Sequence, residues 1–146
     1  MSDWTATTLN DIAVFSSGGT PSKANADFWN GDIPWISAES LKTIRLCKSD
    51  RNVTRAAINH GTKIAPKGSV LVLVRGMSLH QEIRVGWAQR GLAFNQDVKA
   101  LAARPGVDPS FLFYTLDGCR AELLGLVHAA GHGTGVLATD QLKALP

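Results

Sequence analysis

The sequence predicts an α+β fold: a single compact domain with a central mixed or antiparallel sheet, short flanking helices and long polar loops. The first observation is an apolar run at residues 70–74 with glycines close to both ends, which is typical of a strand buried on both faces. The second is the alternation of apolar residues at 83–88 and again at 98–101, which predicts two further strands, the first with one solvated face.

The composition agrees with one domain over residues 1–146, because a chain that is 45% hydrophobic and 18% charged can bury a core. The net charge of +3 is a mild basic excess, compatible with a polyanionic partner or with an ordinary slightly basic domain. Cys47 and Cys119 lie far apart and outside any ligand motif, so we expect free thiols. Without a secretory leader or an apolar run near the ~20 residues that span a bilayer, we expect no membrane partner and a cytoplasmic location.

The first elements are a short helix and a polar loop. Residues 7–12 predict a helix with Thr8 as its N-cap. Residues 16–23 are rich in Gly, Ser and Thr and end at Lys23, which leaves a plain turn and a phosphate-contacting loop as open alternatives. The spacing is not that of a P-loop.

A tryptophan-rich stretch follows this loop. Pro34 cannot donate to a strand ladder, so it predicts that residues 33–37 form an edge strand. Trp29 and Trp35 could stack on nucleobases, but aromatic residues at this spacing are more often core, and we predict core.

The densest basic segment comes next. Lys42, Arg45 and Lys48 recur every three residues, and Arg51 follows. The general interpretation of such a segment is a solvated face, and the more specific one is a rim that contacts phosphates.

Further short elements complete the chain. Residues 54–61 predict a short helix that begins at Thr54, and residues 77–82 predict a loop too polar for the core. Asp108 and Pro109 begin a helix that Gly118 interrupts, and a second helical piece continues over residues 122–127. A glycine-rich loop at 131–135 precedes a last helical turn near residues 139–142.

The residues that would indicate an enzyme are not found in a catalytic arrangement. His128 and His132 have a helical spacing, but the neighbouring glycines disfavour a helix and no Glu completes a zinc-protease motif. The sequence also lacks a serine-nucleophile elbow and a dinucleotide fingerprint. We therefore expect no catalytic activity, no metal and no cofactor.

The order of several short motifs resembles the target-recognition domain of type I restriction–modification specificity subunits. The matching segments cover nearly the whole chain, and they are residues 9–12, 18–22, 28–36, 66–71, 94–97, 111–116 and the terminal region that contains Leu137, Leu142 and Leu145. The pair Gly-Gly-Thr-Pro-Ser and Gly-Asp-Ile-Pro-Trp-Ile is the most specific part.

The resemblance implies a non-enzymatic protein that reads one half of a split site in double-stranded DNA. It also implies partners: a methyltransferase subunit that binds S-adenosylmethionine and, through the complex, a translocating endonuclease subunit. The long spacer helix of the family would begin where this sequence ends, so we expect one isolated recognition domain, with a second recognition domain or a homodimer as an open alternative.

Arg, Lys, Asn and Gln can match the donors and acceptors of base edges in the major groove. Base readout is predicted for six residues: Arg75, His80, Gln81, Arg84, Lys42 and Arg45. Phosphate contact is predicted for five: Ser22, Lys23, Lys48, Arg51 and Thr134. Arg75 could equally be structural. The alternative function is a protein-interaction module that docks on restriction–modification subunits, or competes for them, without strong DNA binding of its own.

Overall fold

Two β-sheets form the body of the protein in the computed structural model, which describes residues 7–130 and 133–145. The first sheet contains, in spatial order, β1 (Ala13–Ser17), β9 (Val98–Ala103), β6 (Val70–Leu73), β7 (Val85–Ala88) and β3 (Arg45–Leu46). The second contains β4 (Asn52–Val53), β2 (Trp29–Ile36), β8 (Leu92–Phe94) and β5 (Lys63–Ala65). The α+β prediction is confirmed, although the sequence did not indicate that the strands divide between two sheets.

Short helices and one small hairpin complete the described residues. The hairpin joins β10 (His128–Ala129) to β11 (Gly135–Val136). The helices are α1 (Leu9–Ile12), α2 (Pro109–Gly118), α3 (Arg120–Leu124) and α4 (Thr139–Lys143). None of the helices in these described ranges is long and apolar enough to cross a bilayer. The predictions for Gly131 and His132 lie outside the described residues.

Strand β6 is the centre of the larger core. All its side chains are fully buried, and it pairs antiparallel with both β7 and β9, as the apolar run predicted. The solvated face predicted for β7 is wrong. Trp87 stacks on Phe113 of α2 with ring centroids 5.0 Å apart, while Leu41 and Leu46 approach Gly86 from the other side. Neighbouring elements therefore cover both faces of β7.

The prediction that Pro34 marks an edge strand is also wrong, because β2 lies between β4 and β8. Pro34 is tolerated there since the parallel ladder to β8 begins only at Trp35. The Trp35 N–H donates to the carbonyl of Arg51 at 2.9 Å, on the β4 side. Because backbone groups alternate along a strand, the nitrogen of Pro34 faces β8 rather than β4. The ladder to β8 has not yet begun there, so Pro34 needs no N–H to donate.

Local capping chemistry was predicted well, and helix lengths less well. Asp11 accepts a hydrogen bond from the Thr8 N–H at 3.1 Å, and Asp108 accepts one from the Ser110 N–H at 2.9 Å. The helix predicted over 54–61 is only a 3₁₀ turn at Arg55–Ala57. The break after α2 falls at Cys119, one residue later than predicted.

The loop predicted at 77–82 contains a 3₁₀ turn, Met77–His80. Leu79 in this turn is fully buried, so the loop is not entirely outside the core. A single apolar residue in a polar segment gives no periodic signal from which its burial could be predicted.

The two sheets meet where two connections touch. The connection from β1 to β2 begins at Gly18, and the connection from β8 to β9 begins at Asn95. The Gly19 N–H donates to the Phe94 carbonyl at 3.0 Å, and the Thr62 hydroxyl donates to the same oxygen at 2.9 Å. A Cβ atom on Gly18 would overlap that oxygen, so only glycine allows the backbones to approach this closely.

We expect Gly18→Ala to destabilise the protein by about 1–3 kcal/mol, because the added methyl group meets backbone atoms that cannot move aside. Urea unfolding followed by circular dichroism measures this free energy. The matched control is Gly118→Ala, since Gly118 ends α2 with open space around it. Equal stability of wild type and Gly18→Ala would contradict the close approach at this junction.

Candidate nucleic-acid interface

The densest run of exposed basic residues lies on the connection from β2 to β4, residues 37–51, which we call the basic crossover. Its middle is strand β3, where Arg45 lies opposite Trp87 in a parallel ladder with β7. Its second end is held to β2: the Ser49 hydroxyl donates to the Trp35 carbonyl at 2.6 Å, and the Trp35 N–H donates to the Arg51 carbonyl at 2.9 Å. The segment is therefore fixed to both sheets.

The cationic side chains of the basic crossover remain directed to solvent. They belong to Lys42, Arg45, Lys48 and Arg51, and all four residues are exposed. Among residues 7–130 and 133–145, the two ion pairs are Arg84 with Glu82 and Arg120 with Asp117, and neither uses a cation of the basic crossover. The charge of this segment is thus available to an anionic partner.

Two shallow grooves adjoin the basic crossover and share Asp50 and Arg51. The first, the Lys23–Arg51 groove, has a volume of about 270 Å³ and is lined by Lys23, Trp29, Asn30, Asp50, Arg51 and Asn52. The second, the central groove, has about 280 Å³ and includes Ser37–Ser40 and Asn95 in its lining. Because they share two residues, the grooves are neighbours on the surface.

A third depression, the Lys42–Arg84 cleft, has about 240 Å³ and also contains Arg120. It brings together two residues predicted for base readout. The Arg84 guanidinium, however, donates through Nε to Glu82 at 2.9 Å and through Nη1 to the Ala38 carbonyl at 2.7 Å. Arg84 therefore also holds the start of the basic crossover in place.

Four predicted residues lie at a different part of the surface. The backbone of Arg75 forms an isolated β-bridge with Val136 of β11, and His80 Nε2 donates a hydrogen bond to the Gly133 carbonyl at 2.5 Å. Gln81 directly follows the 3₁₀ turn that contains His80, and Thr134 directly follows Gly133. None of these four residues lines the three depressions, so the structure does not bring all predicted site residues together.

The remaining candidates flank the basic crossover. Arg45 lies over the Trp87 ring, 5.9 Å from its centroid. The Ser22 carbonyl accepts from Trp29 Nε1 at 3.0 Å, and the Gly19 N–H is already used by Phe94, which favours the plain turn over a phosphate cradle for this loop. The Lys23 side chain stays exposed.

The core prediction is confirmed for Trp35 and holds only in part for Trp29, which is half-buried and lines a groove. Trp35 is buried, and Trp29 packs edge-on against it with ring centroids 5.3 Å apart. The indole Nε1 of Trp35 donates to the Gly19 carbonyl at 3.2 Å. Trp29 thus forms a fixed wall of the Lys23–Arg51 groove.

Sequence reasoning missed two amide side chains in this groove, Asn30 and Asn52. Asn30 has a left-handed backbone, with φ of 62°, at an irregularity where Trp29 and Ile33 both pair with Val53. The Asn30–Gly31 dipeptide inside a strand pattern was a signal for this bulge. Asn52 lies opposite Pro34, and no periodic feature of the sequence distinguished it.

The described residues contain no group of three or more His, Cys, Asp or Glu side chains placed to hold a metal ion. Cys47 and Cys119 are free thiols. Burial, with a contribution from the charge of Glu122, raises the pKa of the Cys119 thiol. A raised pKa lowers the thiolate fraction, so Cys119 is poorly suited to nucleophilic chemistry.

Asp97 lies on the junction segment between β8 and β9, near Arg75. Burial raises the pKa of its carboxyl group above the ordinary value of 3.8, and the Arg75 charge partly offsets this. Arg75 thus stabilises an ionised group within the protein, which supports the structural alternative for this residue.

Comparison with known proteins identifies one family. The sequence model of the type I restriction modification DNA specificity domain matches residues 1–146. The chain is 27% identical over 137 residues to the specificity subunit of the type I restriction enzyme EcoR124I/EcoR124II of Escherichia coli, covering 92% of this chain and 34% of that subunit. It is 31% identical over 116 residues to the MjaIX specificity subunit of Methanocaldococcus jannaschii, covering 77% of this chain and 26% of that subunit.

Solved structures share the fold at low sequence identity. The HsdS subunit of Thermoanaerobacter tengcongensis has a TM-score of 0.68 at 16% identity, over 95% of this chain and 31% of that subunit. The type I S subunit of M. genitalium has a TM-score of 0.64 at 16% identity, over 98% of this chain and 33% of that subunit. The chain therefore spans about a third of the length of these relatives.

We expect Asp97→Asn to change how stability depends on pH. The folded-state pKa of Asp97 is raised, so its contribution to stability is fully present below the unfolded pKa near 3.8 and is lost as the pH rises through the folded pKa. Asparagine does not ionise, so the stability of the variant relative to wild type should increase from about pH 3 to about pH 7. Urea unfolding across this range measures the difference.

Asp32→Asn removes one exposed negative charge elsewhere and is the matched control. Arg75→Ala should raise the pKa of Asp97 further, which carboxyl NMR titration measures directly. An unchanged Asp97 pKa in Arg75→Ala would contradict the structural role of Arg75.

Proposed function

Because the chain belongs to the family of type I restriction modification DNA specificity domains, we propose that it recognises double-stranded DNA by sequence and reads one half of a bipartite site. The observation that supports this most directly is the basic crossover, whose exposed cations are unpaired with acidic groups of the described chain. Such a surface attracts the phosphate backbone and releases its counterions.

We propose different roles for the contacts to phosphates and the contacts to bases. Phosphate contacts fix position and orientation without reading sequence, and we propose Lys23, Lys48 and Arg51 for this role, with Ser22 beside them. Base readout needs donors and acceptors presented to the major groove, and Lys42 and Arg45 lie on the same segment. DNA contact stays a prediction for five further residues: base readout for Arg75, His80, Gln81 and Arg84, and phosphate contact for Thr134.

We propose no catalytic step for the domain itself. We propose that methyl transfer and strand cleavage belong to partner methyltransferase and endonuclease subunits, which the bound domain directs to its site. Both specificity subunits among the relatives are about three times as long as this chain, since the 137 and 116 aligned residues are 34% and 26% of them. Affinity in such an assembly gains from a second half-site on the same DNA. The proposed compartment is the cytoplasm, because DNA is the proposed partner.

A protein-interaction role is a second candidate, and exposed aromatic residues favour it. Phe111 and Tyr114 lie one helical turn apart on α2 and are 53% and 60% exposed, so they form a small apolar patch that a partner protein would cover. A gel shift with random-sequence duplex at low salt distinguishes the two functions. Complete absence of a shift at high protein concentration would favour this second role.

We expect Lys48→Ala and Lys23→Ala to weaken binding to all duplexes alike and to reduce the slope of log K against log salt concentration by about one unit each. Fluorescence anisotropy with a labelled duplex at several salt concentrations measures the slope. Lys63→Ala is the matched control, because Lys63 lies on β5 at the opposite edge of the second sheet from β4. A slope reduced equally in Lys63→Ala would show that no defined face binds the phosphates.

A further inference from the structure

The lining of the Lys23–Arg51 groove differs from that of a simple anion site. Lys23 and Arg51 supply donors, whereas the Asp50 carboxylate supplies only acceptors and the amides of Asn30 and Asn52 supply both. Phosphate oxygens are all acceptors, and Asp50 would repel them. Base edges present donors and acceptors side by side, so the groove matches a base edge better than a phosphate.

The amide side chains in the groove are free to bind. The hydrogen bonds of the described residues use the Asn25 and Asn95 amide oxygens within the protein, but they do not use the side chains of Asn30 or Asn52. The Trp29 indole N–H is already bonded to the Ser22 carbonyl, so Trp29 contributes an apolar wall rather than a donor. The unused polar groups are therefore those of the two asparagines and their charged neighbours.

The backbone places these amides where β2 pairs with β4 alone, because the ladder from β2 to β8 begins only at Trp35. Strands β2 and β4 are antiparallel, and β4 is the edge strand of its sheet. The bulge at Asn30 interrupts the ladder, and the same region carries Asn52 opposite Pro34. The major groove of B-DNA is about 12 Å wide and admits two paired β-strands.

We propose that Asn30 and Asn52 are specificity-determining residues that read adenine in the major groove. An asparagine amide pairs with adenine through two hydrogen bonds, accepting from N6 and donating to N7. Lys23 lies at the side of the same groove and contacts the flanking phosphate. This inference rests on the proposed function and adds to it the residues that distinguish one base from another.

The test is selection of bound duplexes from a random pool, at low salt, with wild type and variants. Asn30→Gly removes one amide while keeping a residue that tolerates a left-handed backbone. Asn59→Gly is the matched control, since Asn59 also has a positive φ, 66°, and lines a different depression with Lys63. Asn52→Asp keeps the size of the side chain and replaces its donors with acceptors.

We expect wild type and Asn59→Gly to select the same site, which contains adenine. Asn30→Gly should lose preference at one base pair, with affinity for the selected site reduced roughly 5- to 150-fold. Asn52→Asp should change the preferred base at one position from adenine to cytosine, whose N4 group donates to a carboxylate. Replacing the contacted adenine by 7-deazaadenine should weaken wild-type binding without any change in the protein.

The outcomes separate the two claims. If wild type selects no sequence, both the proposed function and this inference are overturned. If wild type selects a site that Asn30→Gly and Asn52→Asp select with the same affinity, only the inference is overturned. If the wild type binds every singly substituted 7-deazaadenine site with full affinity, the adenine assignment is overturned. This measurement uses only the wild-type protein, so it does not depend on whether a variant folds.

Discussion

The carbonyl oxygen of Phe94 is the point on which the two-sheet architecture depends. It accepts hydrogen bonds from the Gly19 N–H and the Thr62 hydroxyl in a buried position. These partners come from separate connections, so one oxygen ties together the loop after β1 and the segment before β5. Removing either donor would leave a buried carbonyl oxygen with one hydrogen bond fewer. The protein would lose more stability than it would from losing a hydrogen bond at the surface.

The short sequence motifs coincide with such junctions. Gly18 and Gly19 permit the close approach to Phe94, Thr20 donates to Gln96 at 2.7 Å, and the Asn95 N–H donates to the Ile36 carbonyl at 2.9 Å. The first two contacts join the Gly-Gly-Thr-Pro-Ser segment to the Phe-Asn-Gln-Asp segment, and the third joins the latter to the Gly-Asp-Ile-Pro-Trp-Ile segment. The motifs that carried the resemblance therefore build the scaffold, which fits the family shown by the comparison.

The sequence predicted those features that depend on residues close together in the chain, and not those that depend on residues far apart in it. The buried strand β6 and the caps at Thr8 and Asp108 were predictable, because burial runs and caps depend on neighbouring residues. The central position of Pro34 was not, since it depends on where the ladder to β8 begins. The Lys23–Arg51 groove was not predictable for the same reason: it joins residues 23–30 to residues 50–52, which only the pairing of β2 with β4 brings together.

A rigid scaffold and an exposed basic segment that crosses between its sheets together form the surface proposed to read DNA. The most direct measurement is amide NMR of the isotopically labelled chain as a short duplex is added. The account predicts that chemical-shift changes concentrate at residues 23–30 and 37–52, while residues 59–64 and the exposed face of α2 change little. Changes centred on Phe111 and Tyr114, with the basic crossover unaffected, would contradict it.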